Sequence, residues 1–188
     1  MKILETNLLR VSLATTLTAF VFANGQAAAS ELSHVRLKDR LDRPADGYCL
    51  DIVGTASNMM LDLPLFTHNC KSGPTADSSV TYTDSGQLLF PGAQVCITAF
   101  GVNNTVLPGT SVLLRRCDSR TAFFNTANLQ KFDHLKNGQL QLRGYDLCLA
   151  VGEQSSHTFS ASDRWRVLSL QSCAGIELPY SSWEMVPF

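Results

Sequence analysis

Tyr48-Cys49-Leu50-Asp51-Ile52 is a short apolar run with a cysteine in its second place. The chain writes the same pattern twice more, as Val95-Cys96-Ile97-Thr98-Ala99 and Leu147-Cys148-Leu149-Ala150-Val151. Each run is followed by a second cysteine that ends another apolar stretch. These are Pro64-Leu65-Phe66-Thr67-His68-Asn69-Cys70, Val112-Leu113-Leu114-Arg115-Arg116-Cys117 and Val167-Leu168-Ser169-Leu170-Gln171-Ser172-Cys173. The two cysteines of a set are 21, 21 and 25 residues apart. Three near-equal intervals with similar flanks describe an internal repeat rather than six scattered thiols.

Punctuation outside the cysteines has the same register. Gly86, in Gly86-Gln87-Leu88-Leu89, precedes Cys96 by as many residues as Gly138, in Gly138-Gln139-Leu140-Gln141, precedes Cys148. A glycine beside a polar residue, followed by an alternating apolar run, predicts a tight turn into a strand. Trp183 follows Cys173 at the distance at which Val80 follows Cys70, whereas Phe132 lies farther from Cys117. The extra residues therefore fall in the polar stretch Asp118–Asn128, and a repeat places its insertions in such loops. No 3.6-residue apolar period is sustained beyond the first thirty residues, and short runs alternate with Gly, Pro, Asn and Ser. The expectation is an all-β domain of three pseudo-repeats, about 33–80, 81–132 and 133–188, forming a pseudo-threefold barrel rather than a sandwich.

Fifteen pairings of six cysteines exist in principle. A repeat that brings its own two strands together selects Cys49–Cys70, Cys96–Cys117 and Cys148–Cys173. Each such bridge closes a loop whose restriction is worth about 3 kcal/mol in the chain-entropy model. Zinc would need ligand pairs two to four residues apart. No such cysteine pair occurs, and no metal or other cofactor is expected.

The first residues carry an address. Lys2 and Arg10 precede an apolar stretch from Val11 to Ala23, and Ala27-Ala28-Ala29 supplies a small-residue stop. This pattern predicts a secretory signal peptide over 1–29, whose removal would leave a domain over 30–188. Its apolar stretch is short for a membrane anchor, and no other long apolar segment follows, so no membrane span is expected after removal. A secreted or periplasmic location suits six pairable cysteines. The formal net charge of −1 excludes a broad electrostatic footprint for nucleic acid. With 45% hydrophobic and 16% charged residues the chain is not a disordered one.

The Cys49-Leu50-Asp51 start, the Gly-Gln-Leu turns and the Gln-x-aromatic position Gln130-Lys131-Phe132 together resemble the ricin B-type β-trefoil lectins. The third and first units carry that last motif as Ser181-Ser182-Trp183 and Ser78-Ser79-Val80. The likeness spans about Ser33–Phe188. It implies a β-trefoil, a six-stranded barrel capped by three hairpins, with one shallow sugar pocket possible per repeat. It also implies that Phe132 and Trp183 pack inward with Leu50, Leu88, Ile97, Leu140 and Leu149. A pocket of this family needs a carboxylate two residues after the first cysteine, a ring shortly before the second, and a polar group beyond it. Charged acceptors make the stronger bonds to hydroxyls, and a flat ring covers the apolar face of a pyranose.

On that pattern the first unit offers Asp51, His68 beside Asn69, and Asp77 or Ser78, with Lys71-Ser72 also family-like. The second offers Thr98, Arg115 and Phe124 or Asn125, and the third Ala150, Gln171 and Tyr180 or Ser181. Only the first keeps the acid. The resemblance therefore implies a secreted carbohydrate-binding protein with at most one working pocket, built from Asp51, His68, Asn69 and Asp77, and a glycan or glycoconjugate as partner. The bland alternative makes Asp51 a loop cap and His68 a half-buried residue on an edge strand. For Trp165 two readings stand, a surface contact or a rim residue of the last hairpin.

The competing function is a protein-interaction trefoil whose sugar sites are lost, such as an accessory subunit of an exported complex or toxin. Its partner would be a co-exported protein, met through Arg115-Arg116 and long loops over Asp118–Asn128 and Glu153–Asp163. No Gly-x-Ser-x-Gly, phosphate loop, His-Glu-x-x-His or dinucleotide fingerprint occurs, so no enzyme is expected.

Overall fold

The computed structural model describes residues 31–121 and 124–188. The signal peptide expected over 1–29 lies outside the described residues. The strands fall into three sets. The first holds β1 (Leu32–Leu37), β2 (Tyr48–Asp51), β3 (Phe66–Asn69) and β4 (Val80–Tyr82). The second holds β5 (Leu88–Phe90), β6 (Val95–Ala99), β7 (Val112–Arg115), a small ribbon of β8 (Arg120–Thr121) and β9 (Phe124–Asn125), one helical turn at Thr126–Leu129, and β10 (Phe132–His134). The third holds β11 (Leu140–Leu142), β12 (Leu147–His157), β13 (Arg164–Ser172) and β14 (Trp183–Pro187). The ribbon and helical turn occupy the stretch where the spacing places the extra residues.

Six of these strands close on themselves. β1 pairs with β4 and with β14, β4 with β5, and β10 with β11. Single bridges, Gln87↔Lys131 and Gln139↔Ser182, complete the ring from β5 to β10 and from β11 to β14. Closure removes the exposed edges that an open sheet would leave. The β1–β14 ladder joins the two ends of the described chain, with Leu37 opposite Trp183. The hairpins β2–β3, β6–β7 and β12–β13 cap the ring. This six-stranded barrel with three hairpins is a β-trefoil.

The turn glycines act where the sequence places them. Gly86 and Gly138 have φ of +87° and +92°, a region open to glycine at little cost. A Cβ on Gly86 would come within 2.8 Å of the Phe132 carbonyl oxygen. The close approach has a purpose, since the Phe132 N–H donates to Gly86 O at 2.8 Å and the Trp183 N–H donates to Gly138 O at 2.8 Å. The backbone of each buried aromatic is thereby tied to the turn of its own set. Phe132, Trp183, Leu50, Leu88, Ile97, Leu140 and Leu149 are all fully buried in one cluster. The Trp183 indole N–H donates to Leu149 O at 2.9 Å, so its polar edge is satisfied inside the core.

Cys49–Cys70, Cys96–Cys117 and Cys148–Cys173 are bonded. Each ties the first strand of a hairpin to a cysteine within two residues of the end of the second.

Two expectations about the third hairpin and its neighbour are corrected. Glu153–Asp163 is not a long loop, because β12 runs to His157 and β13 restarts at Arg164, leaving a short turn. The extension is anchored by Arg166, whose guanidinium donates to Gly152 O, Glu153 O and Asp42 Oδ1 and lies 4.9 Å from the centre of the Tyr48 ring. β3 is not an edge strand, because it pairs with β2 on one side and with the extended β13 on the other. His68 is half-buried, but within a three-stranded sheet.

Candidate functional site

The β2–β3–β13 sheet has two faces, set by strand alternation. Register places Asp51 opposite Phe66 and Phe66 opposite Val167 in one row, and Cys49, His68 and Trp165 in the next. Leu50, Thr67 and Arg166 point the other way and are buried. The first face therefore carries an acid, an imidazole and three apolar side chains together. It forms the wall of a cavity of about 600 Å³. Leu63, Pro64 and Leu65 border the cavity on one side, and Thr158, Phe159 and Asp163 of the β12–β13 turn border it on another.

Asp51 sits at the β2 side. Its carboxylate is bonded by the Lys71 ammonium at 3.0 Å on Oδ1 and 2.8 Å on Oδ2. The same ammonium reaches Asp77 Oδ2 at 2.7 Å. One cation thus serves two buried carboxylates. Burial pushes Asp51 up to about 7; the Lys71 contact opposes the rise only in part, and the charge of Asp77 adds to it. Asp77 is held below the usual carboxylate range by Lys71 and Thr75, against the upward push of its own burial. Burial lowers the Lys71 ammonium, but the two carboxylates outweigh it and raise it. The trio keeps a negative excess whenever both acids are ionised. A carboxylate has about four acceptor sites, and Lys71 does not use all of those on Asp51.

His68 stands beside this trio, its Nδ1 3.9 Å from Asp51 Oδ2 and 3.2 Å from Asn69 O. Burial, then the Lys71 charge, hold its pKa below the ordinary value, so the ring is neutral at pH 7. With Nδ1–H donating to the Asn69 carbonyl, Nε2 remains an acceptor. The Phe66 ring lies near His68 and Trp165, its centre 6.0 Å from the imidazole and 6.2 Å from the indole.

Of the four residues the sequence nominates, the structure brings Asp51 and His68 to the cavity wall. Asp77 joins them through Lys71 and is itself buried. Asn69 is turned to another task, its Oδ1 accepting from the Arg164 N–H at 3.2 Å, which fixes the start of β13 against β3. Sequence reasoning left two contributors without a role. Lys71 was visible directly after Cys70, but nothing in the sequence shows that it spans two acids. Trp165 reaches the first unit only because β13 outgrows its own hairpin, and it is a wall residue of the cavity.

The equivalent places elsewhere are closed. Thr98 is fully buried and accepts from Gln130 Nε2 at 2.9 Å. Ala150 is buried and offers no polar side chain. Among the described residues no group of three His, Cys, Asp or Glu side chains is placed to hold a metal ion. No helix among them is long and apolar enough to cross a membrane.

Solved structures share this fold, and one of them is a lectin. The β-trefoil lectin of the Vibrio vulnificus hemolysin/cytolysin, solved with N-acetyl-D-lactosamine bound, is similar over 85% of this chain and 96% of its own, at 11% identity and a TM-score of 0.53. The mdaA-1 domain, a solution structure, is similar over 91% of this chain and 98% of its own, at 15% identity and a TM-score of 0.61. No family model matches the chain, and no curated protein does. The protein is a β-trefoil of the architecture used by lectins.

Proposed function

We propose that this protein is a secreted or periplasmic carbohydrate-binding trefoil with one working sugar site, in the first unit, and no catalytic role. The observation that supports it best is the juxtaposition, on one sheet face, of the Asp51–Lys71 pair and the neutral His68 with the Trp165 ring. Together these groups supply what a pyranose needs. Asp51 and His68 Nε2 accept from hydroxyls, Lys71 fixes the Asp51 carboxylate for them, and Trp165 covers an apolar ring face. Asp77 holds Lys71, and Asn69 holds β13, so both support the site from behind. The likeness to a trefoil that binds N-acetyl-D-lactosamine is in keeping with this class of ligand. Three bonded cystines fit an oxidising compartment.

A glycan array probed with the full protein, with Asp51→Ala and with Trp165→Ala tests the reading. Loss of array signal in both variants, with far-UV circular dichroism and the thermal unfolding transition retained, supports it. Undiminished signal in Asp51→Ala overturns the site.

A further inference from the structure

The cavity is larger and more apolar than a single sugar requires. At about 600 Å³ it falls in the range of roughly 300–1,000 Å³ that holds a drug-sized molecule. Its polarity is graded across the sheet. Asp51 and Lys71 lie on the β2 side, whereas the β13 side presents Trp165 and Val167, and Leu63-Pro64-Leu65 borders the same space. Val167 and Leu63 remain 53% and 39% exposed, and Phe159 projects fully into solvent from the β12–β13 turn. The polar groups of this wall sit at its β12–β13 turn, where Thr158 Oγ1 donates to the Asp163 carbonyl and Asp163 Oδ2 accepts from Ser160 Oγ. A second sugar laid against Val167, Leu63 and the Trp165 ring, away from Asp163, would bury hydroxyls without partners, at a cost of about 1–3 kcal/mol each. An apolar group laid there gains from every methylene removed from water.

We infer that the cavity takes an amphipathic glycoconjugate: a sugar head against Asp51, His68 and Lys71, and an apolar aglycone along Trp165, Val167 and Leu63. This rests on the sugar-binding reading of the same site and narrows its ligand to glycosides with a hydrocarbon-rich aglycone. The polarity gradient also sets the orientation. The head lies toward β2, and the aglycone leaves across β13 toward Phe159.

The test uses the full protein and the methyl, hexyl and octyl β-glycosides of glucose, galactose and N-acetylglucosamine, below their micelle concentrations, measured by calorimetry. For the preferred sugar, affinity rises about tenfold or more from methyl to octyl, as expected for burial of two or more methylenes. In a Leu63→Ser/Val167→Ser double variant the octyl gain falls below about threefold, while the methyl glycoside keeps its affinity. Both side chains are partly exposed, so the variant is expected to fold, and the retained methyl-glycoside affinity reports that it has. Equal affinity for methyl and octyl glycosides overturns the aglycone site and leaves the sugar site standing. An octyl gain that survives in the double variant also overturns it. Binding of 1-octanol as tight as that of the octyl glycoside, or no binding of any glycoside, overturns the sugar reading together with this one.

Discussion

The first and second units of this trefoil share a frame and differ in what they place inside it. In the second, Thr98 stands where Asp51 stands in the first. Its hydroxyl donates to Cys96 O at 3.0 Å and accepts from Gln130 Nε2 at 2.9 Å. Gln130 also donates to Arg116 O at 3.2 Å and accepts from the Asp118 N–H at 2.8 Å. Every partner is neutral, and the set is closed upon itself. In the first unit three charged groups, Asp51, Lys71 and Asp77, fill the equivalent interior, with one ammonium between two carboxylates. A closed neutral set stabilises the fold and has nothing left for a ligand. A charged set with an acceptor to spare is costly to bury and is what a hydroxyl-rich ligand can use.

Removing the ammonium breaks this comparison most severely. Lys71→Met leaves Asp77 an uncompensated buried carboxylate beside an Asp51 pushed still further up, and should cost about 3–5 kcal/mol, read from urea unfolding at pH 7. A loss under 1 kcal/mol would mean that the trio is solvated in solution.

The next largest effect is a pH slope. Unfolded Asp51 ionises near pH 4, whereas burial moves the folded group up to about 7. Between those values the native state keeps a proton that the unfolded state has released. The stability contributed by this group therefore falls as pH rises from about 4 to about 7, and is constant above. Relative to wild type, Asp51→Asn should gain on the order of a few kcal/mol across that window. Parallel stability curves for the two proteins from pH 4 to 8 would contradict the assignment.

In the second unit, Thr98→Val leaves one Gln130 N–H unpaired in the core and should cost about 1–3 kcal/mol, without the pH dependence of the Asp51 variant. The smallest change belongs to the surface. Arg143 and Asp133 pair at 2.6 Å with both side chains 44% exposed, and Arg143→Ala should shift stability by no more than about 1 kcal/mol.

Much of the fold was legible because it is written three times. The cysteine frame and the Gly86 and Gly138 turns follow from local spacing that recurs along the chain, and the inward Phe132 and Trp183 from the family resemblance that this spacing supports. The acid and imidazole of the site were legible through the same resemblance, which places them at fixed distances from Cys49 and Cys70. The remainder depends on contacts between units, which no local pattern encodes. Trp165 sits nearly a hundred residues from His68 in sequence, and it becomes its cross-strand neighbour only because β12 and β13 extend past a hairpin of ordinary length. Asn69 looked like a ligand by position, but its amide oxygen is claimed by the backbone of that same extension. Lys71 was in view, but its service to two acids depends on the path of the chain from Thr75 to Ser79, where Thr75 accepts from the Ser79 N–H at 3.0 Å.

The central claim is that a sugar binds against the first unit and against no other, and the two tryptophans test it directly. Trp165 lines the cavity, whereas Trp183 is fully buried with its indole N–H on Leu149 O. In ¹⁵N-labelled protein each contributes one indole N–H resonance. Titration with a glycan that the array selects should move the Trp165 signal progressively and leave the Trp183 signal in place. A glycan that binds while the Trp165 signal stays fixed would contradict the account.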